Sequence, residues 1–338
     1  MLYKIVTLIL GSVLLLAANV HADEVNIYSE RKEELIKPLL EKFTQQTGIR
    51  VNIITGNGDI LIKRLEIEGR NSPADVLLTT DIARLYRARQ KGLLQPVRSE
   101  ILENTVPASF RDSEGYWYGL SLRSRIIIYA KDRVDPSRLS TYEALADPRW
   151  KNRVCVRSSS NAYNQSLVAS LIAHDGIEDT EKWAKGLVAN FSRPPQGGDR
   201  DLIKAVAVGE CDVALVNTYY LGGMLNSDIE EERNAAGKVA LFWPNQEKRG
   251  AHFNVSGAGV TSSAQHKEAA VQLLEFLLRD DSQAWYARQN FEFPVKKGIE
   301  PGPTLKQWGE FNADDIKLEE LGIHNAEAVR LMDRAGWK

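Results

Sequence analysis

The sequence predicts an α/β protein built as two lobes of mixed sheet and helix, with a cleft between them. Three observations carry this. A strand–helix alternation runs from residue 25 to about residue 124, and a second of comparable size runs from about 125 to 256. The chain, at 338 residues, is also too long for one compact core. Short apolar runs followed by helical stripes are the signature of a mostly parallel sheet covered on both faces.

The first alternation opens with a buried strand over 25–28. Apolar residues then fall at Leu35, Ile36, Leu39, Leu40 and Phe43, a helical stripe. Pro38 fits that helix only in its first turn, which sets the start near Glu34 or Leu35. Gly48 closes the unit. Strands follow over 51–54 and 74–79, and helices over 58–68 and 81–90. In the second alternation, strands are predicted over 126–129, 153–156, 212–216 and 239–243, with helices over 164–174, 178–188 and 198–208. The segment 257–261 returns to the first unit, and helical patterns over 267–278, 281–289 and 326–334 complete the chain. The implied organisation is a first lobe from 23–124 plus about 257–300, a second lobe from 125–256, and C-terminal helices over 301–338.

Residues 1–22 read as a separate segment. Lys4 is the one charge in the first twenty residues, an apolar run covers 5–18, and Val20-His21-Ala22 is a small-residue cleavage site followed by Asp23-Glu24. This is the pattern of an export signal cleaved after Ala22. The run is shorter than the roughly 20 residues that a membrane-spanning helix needs. The mature chain is therefore expected outside the cytoplasm, in the periplasm, with no direct membrane insertion. Charged residues make up 26% and hydrophobic residues 43%, with a formal charge of −2. Such a balance points to no nucleic acid and no anionic membrane surface as partner.

Two cysteines are present, Cys155 and Cys211. In an exported chain an even pair suggests one disulfide; the alternative is two buried free thiols. Each marks a predicted strand, Cys155 within 153–156 and Cys211 directly before 212–216, and each is followed eight residues later by a tyrosine, Tyr163 and Tyr219. Ligands of open α/β sheets sit beyond the strand ends, so the loops that follow these strands are where chemistry is sought. One reads Arg157-Ser158-Ser159-Ser160-Asn161-Ala162-Tyr163 and the other Asn217-Thr218-Tyr219-Tyr220. Adjacent tyrosines are more often packing than ligands. Yet phenolate oxygen suits a small, hard, highly charged cation such as Fe(III), and a bound cation offsets the cost of deprotonating a phenol whose ordinary pKa is about 10. The five histidines are scattered, and no His/Cys cluster has zinc spacing.

The ordered set of motifs resembles the ferric iron-binding proteins of bacterial iron ABC transporters, the tyrosine-rich, transferrin-like class of solute-binding proteins. The stretches that carry the resemblance are Val25-Asn26-Ile27-Tyr28-Ser29-Glu30-Arg31, Ser72-Pro73-Ala74-Asp75-Val76-Leu77, Gly119-Leu120-Ser121-Leu122-Arg123, Arg157-Ser158-Ser159 with Tyr163-Asn164-Gln165-Ser166, and Asn217-Thr218-Tyr219-Tyr220. The resemblance implies the two-lobed periplasmic-binding-protein (type II) fold. It implies Tyr163, Tyr219 and Tyr220 as iron ligands, and Arg31 and Arg123 as the holders of a synergistic anion such as carbonate. An arginine fork matches a planar oxyanion in bidentate fashion. The chain departs from part of the family in one place: some members carry His-Tyr after the first-loop arginine, where this sequence has Lys32-Glu33. Glu33 is a conceivable carboxylate ligand, but a solvated helix start is the simpler reading.

The implied function is capture of Fe(III) outside the cytoplasm by a monomer, and its delivery to an inner-membrane ABC permease. Two rivals stand beside it. One is a binder of a polyamine or oxyanion, for which the arginines are suited. The other is an enzyme on the same scaffold, against which stands the lack of a nucleophile elbow, zinc motif or phosphate loop.

Overall fold

The structure is a computed structural model and describes residues 24–338; the predicted export signal lies outside the described residues. Strand β1 (Glu24–Ser29) leads through a 3₁₀ turn at Glu33–Leu35 into α1 (Lys37–Thr47), then β2 (Arg50–Thr55), α2 (Gly58–Glu68), β3 (Val76–Thr79), α3 (Ile82–Gln90) and α4 (Glu100–Thr105). Pro38 does sit in the first turn of α1, and Gly48 ends it in the left-handed conformation at φ 76°. Asn57, Asp81 and Ser99 cap α2, α3 and α4 through their side-chain oxygens.

The long strand β4 (Tyr118–Ala130) joins the lobes. Its first half pairs with β8 (Phe253–Val260), and its second half pairs with β6 (Val213–Asn217) and β7 (Val239–Phe242). The strand order β2-β1-β3-β8-β4-β6-β5 therefore runs from one lobe into the other, with β5 (Val154–Cys155) at the far edge. Sequence periodicity had placed only 126–129 in this strand. Twelve of its thirteen residues are buried, so neither half shows the alternation that marks a half-exposed strand.

The second lobe is completed by α5 (Ala162–Ala189), α6 (Asp199–Val208), α7 (Thr218–Leu225) and α8 (Glu230–Gly237). The two helices predicted over 164–174 and 178–188 form α5, interrupted by Gly176, whose φ of 80° and ψ of 169° are not helical. Helix α7 corrects the expectation of an open loop after Asn217. Its sequence, with two glycines and few polar residues, lacks the polar face that would have marked a helix.

Period-two alternation divides the second-lobe core. Ile127, Val213 and Leu215 face one cluster, with Trp150, Leu167 and Trp183, while Ile126, Ile128, Ala214 and Val216 face another, with Leu202, Val206 and Met224. The first-lobe core gathers β1, β3, α1 and α3 with α9 (Lys267–Leu277) and α10 (Asp280–Gln289). After β9 (Phe293–Pro294) and α11 (Pro303–Gln307), the C-terminal helices serve both lobes. Leu318 and Leu321 of α12 (Leu318–Ile323) enter the first core. Ala328, Leu331 and Met332 of α13 (Asn325–Arg334), with Trp337, enter the second.

Cys155 and Cys211 are joined by a disulfide, with Cα atoms 5.9 Å apart. Cys211 lies just before β6 rather than within it. The bridge fastens β5 to its parallel neighbour at the edge of the sheet.

Candidate metal centre

The three tyrosines meet in the cleft. Tyr163 stands in the first turn of α5, and Tyr219 and Tyr220 in the first turn of α7. The hydroxyls of Tyr163 and Tyr219 are 3.1 Å apart, and the Tyr219 and Tyr220 rings lie with centroids 4.2 Å apart. All three line a cavity of about 260 Å³, with Glu30, Arg31 and Glu292 on the opposite wall. Among the described residues no cluster of three or more His, Cys, Asp or Glu side chains could hold a metal. A cation in this cavity would meet the phenolic oxygens of the three tyrosines, with the Glu30 and Glu292 carboxylates on the facing wall.

A buried polar network holds the tyrosine-bearing helices in place. Arg125 donates to Asp199 at 2.8 Å, to the side-chain oxygen of Asn217 at 3.3 Å and to the side-chain oxygen of Asn164 at 2.7 Å. Asp199 also accepts from the Asn217 backbone at 2.7 Å and from Arg157 at 3.2 Å. Asn164 follows Tyr163, and Asn217 precedes Tyr219 by two residues, so one guanidinium fixes the start of both helices. The indole of Trp337 donates to the Arg157 carbonyl at 2.9 Å and pins the same loop from the chain's end. Gly222 of α7 packs on Phe291, where a Cβ would lie 2.6 Å from the Phe291 Cβ. That close approach requires glycine.

The electrostatics suit a cation and resist an empty anion. Burial pushes the Tyr219 phenol well above its ordinary pKa, and the neighbouring Tyr163 and Tyr220 add to the shift while Arg123 opposes it. Tyr220 is raised as well, by burial first and then by Tyr163 and Asp199. Without a cation both are neutral phenols at pH 7. Two guanidiniums flank the Tyr163 ring, Arg123 at 4.9 Å and Arg157 at 5.7 Å from its centroid.

The two arginines expected to hold an anion take different positions. Arg31 is on the cavity wall, paired with Glu292, which also accepts from Ser121 at 2.7 Å. Its Nε is buried and has no partner among the described residues. Arg123 does not line the tyrosine cavity. It lies behind the Tyr163 ring and reaches Asp81 at 3.4 Å. Glu33 pairs with Lys37 at 3.0 Å, is about half exposed, and is not on the cavity wall.

Sequence reasoning missed Glu30 and the Arg125–Asp199 pair. Glu30 directly follows β1, where the strand-end rule points. It accepts from the Thr80 backbone at 3.0 Å and pairs with Arg84 at 2.9 Å, and burial raises its pKa against the pull of Arg84. Asp199 opens α6, and nothing in its local sequence marks it as more than a helix-start carboxylate.

The lobes touch through few polar contacts beside the site. Ser166 of α5 donates to both carboxylate oxygens of Asp81, at 2.9 and 2.8 Å. The Tyr163 hydroxyl is 3.5 Å from the Thr80 hydroxyl. No helix among the described residues is long and apolar enough to cross a membrane.

Known proteins resemble this chain in sequence and overall shape. The chain is 51% identical over 315 residues to iron uptake protein A1 of Synechocystis sp., covering 93% of this chain and 88% of that one. Among solved structures it is similar to a Trichodesmium protein in complex with iron and citrate ligands, at TM-score 0.89 and 48% identity, covering 93% of this chain and all of that one. It is also similar to the ferric binding protein from Campylobacter jejuni, at TM-score 0.91 and 38% identity, with 93% and 100% coverage. These neighbours share the two-lobed type II fold. The family model for bacterial extracellular solute-binding proteins matches residues 71–311, and the chain belongs to that family.

Proposed function

We propose that this protein is the extracytoplasmic receptor of a ferric iron ABC uptake system, taking Fe(III) through Tyr163, Tyr219 and Tyr220. The observation that carries the reading is the convergence of three phenols from two helix starts, with hydroxyls of Tyr163 and Tyr219 3.1 Å apart. Relatives similar to it in sequence and shape are named for iron uptake and ferric binding. Three phenolates neutralise Fe(III). Carbonate or a like anion completes the shell from the Arg31 side, where the buried Nε has a hydrogen to donate. Arg123 acts from behind the Tyr163 ring, where its charge favours the phenolate.

The protein works as a monomer in the periplasm, released by cleavage after Ala22. It hands iron to a membrane permease that reads the closed lobes, and binding itself includes no catalytic step. Closure follows from the ion and anion bridging both walls of the cleft.

The test is direct. Purified protein loaded with Fe(III) develops a visible phenolate-to-iron charge-transfer band that fades on acidification. Changing both Tyr219 and Tyr220 to Phe abolishes it. A colourless loaded protein with no iron by elemental analysis refutes the reading, and retained binding of a polyamine or oxyanion by the double variant would identify the rival solute.

A further inference from the structure

A second, much smaller cavity lies at the hinge, behind the Tyr163 ring and away from the cleft. It measures about 10 Å³, room for a single water-sized species, and is lined by Arg123, Arg125, Tyr163, Asn217, His252 and Asn254. Arg123 and Arg125 come from β4 at the point where that strand leaves one lobe for the other. Asn254 belongs to β8, and His252 just precedes it, on the returning segment. The cavity thus sits between the two strands that cross the hinge.

The polar atoms around it are unusual in kind. Arg123 Nη1, Arg125 Nε, Asn217 Nδ2 and His252 Nδ1 are all buried and have no hydrogen-bond partner among the described residues. All four side chains are at least 97% buried. Three of these atoms can only donate. The fourth belongs to an imidazole that burial and the neighbouring Arg123 and Arg125 keep neutral, and its Nδ1 donates in one tautomer. The remaining neighbour, Asn254, already spends its amide on Asp81 and its oxygen on the backbone of Ile82 and Val255.

A water molecule fits this set poorly. It accepts two hydrogen bonds, so at least one of the three obligate donors stays unpaired, and its own two hydrogens find only His252 Nδ1 to accept them. A monoatomic anion accepts from all four. The charge balance points the same way. Arg123, Arg125 and Arg157 share two buried carboxylates, Asp81 and Asp199, which leaves one positive charge in excess.

We propose that this hinge cavity is a binding site for one small monoatomic anion, chloride under ordinary conditions, held by Arg123, Arg125, Asn217 and His252. It is separate from the cleft in which the tyrosines meet, and it needs no iron. Its structural effect is to tie the two crossing strands to the end of β6 that precedes Tyr219.

The experiment uses iron-free mature protein crystallised with bromide replacing chloride, with data collected at the bromine absorption edge. The expected result is one anomalous peak within hydrogen-bonding reach of Arg123 Nη1, Arg125 Nε and Asn217 Nδ2. Density there without anomalous signal, meaning water, overturns the proposal. In solution, replacing gluconate by chloride at constant ionic strength raises the unfolding midpoint until it saturates, as binding to the folded state requires. A midpoint indifferent to halide also overturns it. N217D places a carboxylate oxygen where the amide donor stood. That variant loses the bromide peak and the halide dependence together, while the wild-type measurements stand whether or not it folds. None of these readouts involves iron colour, so failure here leaves the ferric reading untouched.

Discussion

The proton inventory of the site provides a test that counts ligands. Each phenol ordinarily holds its proton to about pH 10, so at pH 7 presenting one phenolate costs about 4 kcal/mol, and three cost about 12 kcal/mol. Burial adds to this at Tyr219 and Tyr220, whose pKa values are raised. If all three tyrosines take iron as phenolates, the phenolic protons leave on binding. Binding releases protons, so affinity falls as pH falls, and the raised pKa values extend that dependence upward rather than flattening it near pH 10. The logarithm of the apparent affinity for free Fe(III) should rise by about three per pH unit. Between pH 7 and pH 5 that is about six powers of ten, or about 8 kcal/mol. Tyr219→Phe removes one of the protons and lowers the slope to about two. The assay is competition with a ferric chelator from pH 5 to pH 8, with the chelator's own protonation subtracted. A wild-type slope of one or less refutes three-phenolate binding. An unchanged slope in Tyr219→Phe removes that residue from the ligand set.

Further outcomes follow from the same geometry. Replacing Cys155 and Cys211 by serine opens a loop with a sequence separation of 56 residues, which the chain-entropy treatment values at about 4 kcal/mol; urea unfolding of the reduced or double-serine protein should show a loss of that order. Gly222→Ala drives a methyl into Phe291 and should cost about 1–3 kcal/mol of stability by overpacking, together with weaker iron binding because α7 carries two of the tyrosines; thermal melts and iron titration check both. His252 is held neutral, with its pKa lowered to about 3 by burial and then by Arg123 and Arg125. The unfolded imidazole takes a proton near pH 6.5, so the folded protein loses stability as pH falls from there toward 3, and H252Q should flatten that part of the acid-unfolding curve by several kcal/mol, on the order of 4.

Much of the fold was legible because its parts obey local rules. The 3.6-residue stripe of α1, the cap at Asp81 and the glycine stop at Gly48 are all written within a few residues. The limits of β4 were hidden for the opposite reason: a strand buried on both faces has no contrast along its length. Tyr163, Tyr219 and Tyr220 could be singled out because they follow predicted strands and fall in motifs that resemble a tyrosine-rich family. Their placement in helical first turns could not, because α7 is an apolar, glycine-containing segment stabilised by packing on Phe291 and α8. Arg125 was readable only as a charge near a strand. Its role depends on Asp199, Asn164 and Asn217, which are 74, 39 and 92 residues away, and no spacing within the sequence encodes that meeting. Arg31 and Arg123 were both expected to hold an anion, yet Arg31 lines the tyrosine cavity while Arg123, on β4, lines the smaller cavity at the hinge.

The two lobes divide the task unequally, and the division follows from the hydrogen bonds. All three phenols belong to the second lobe, and the Arg125–Asp199 network that positions them is contained within it. Their geometry is therefore set before closure, so a cation can be engaged by the second lobe alone. The first lobe supplies acceptors and charge: Asp81 for Ser166, Thr80 for Tyr163, and the Glu30 and Arg31 side chains on the facing wall. The Thr80 contact shows how one residue serves both states. The Thr80 and Tyr163 hydroxyls are 3.5 Å apart; a neutral phenol there can donate toward Thr80, whereas a phenolate can only accept. A hydroxyl does either, so Thr80 can turn its own proton toward the phenolate when iron displaces the phenolic one. A valine of the same shape could do neither. The shape of the cleft alone would not have distinguished the two, and closure over iron rather than over water is where that hydroxyl matters.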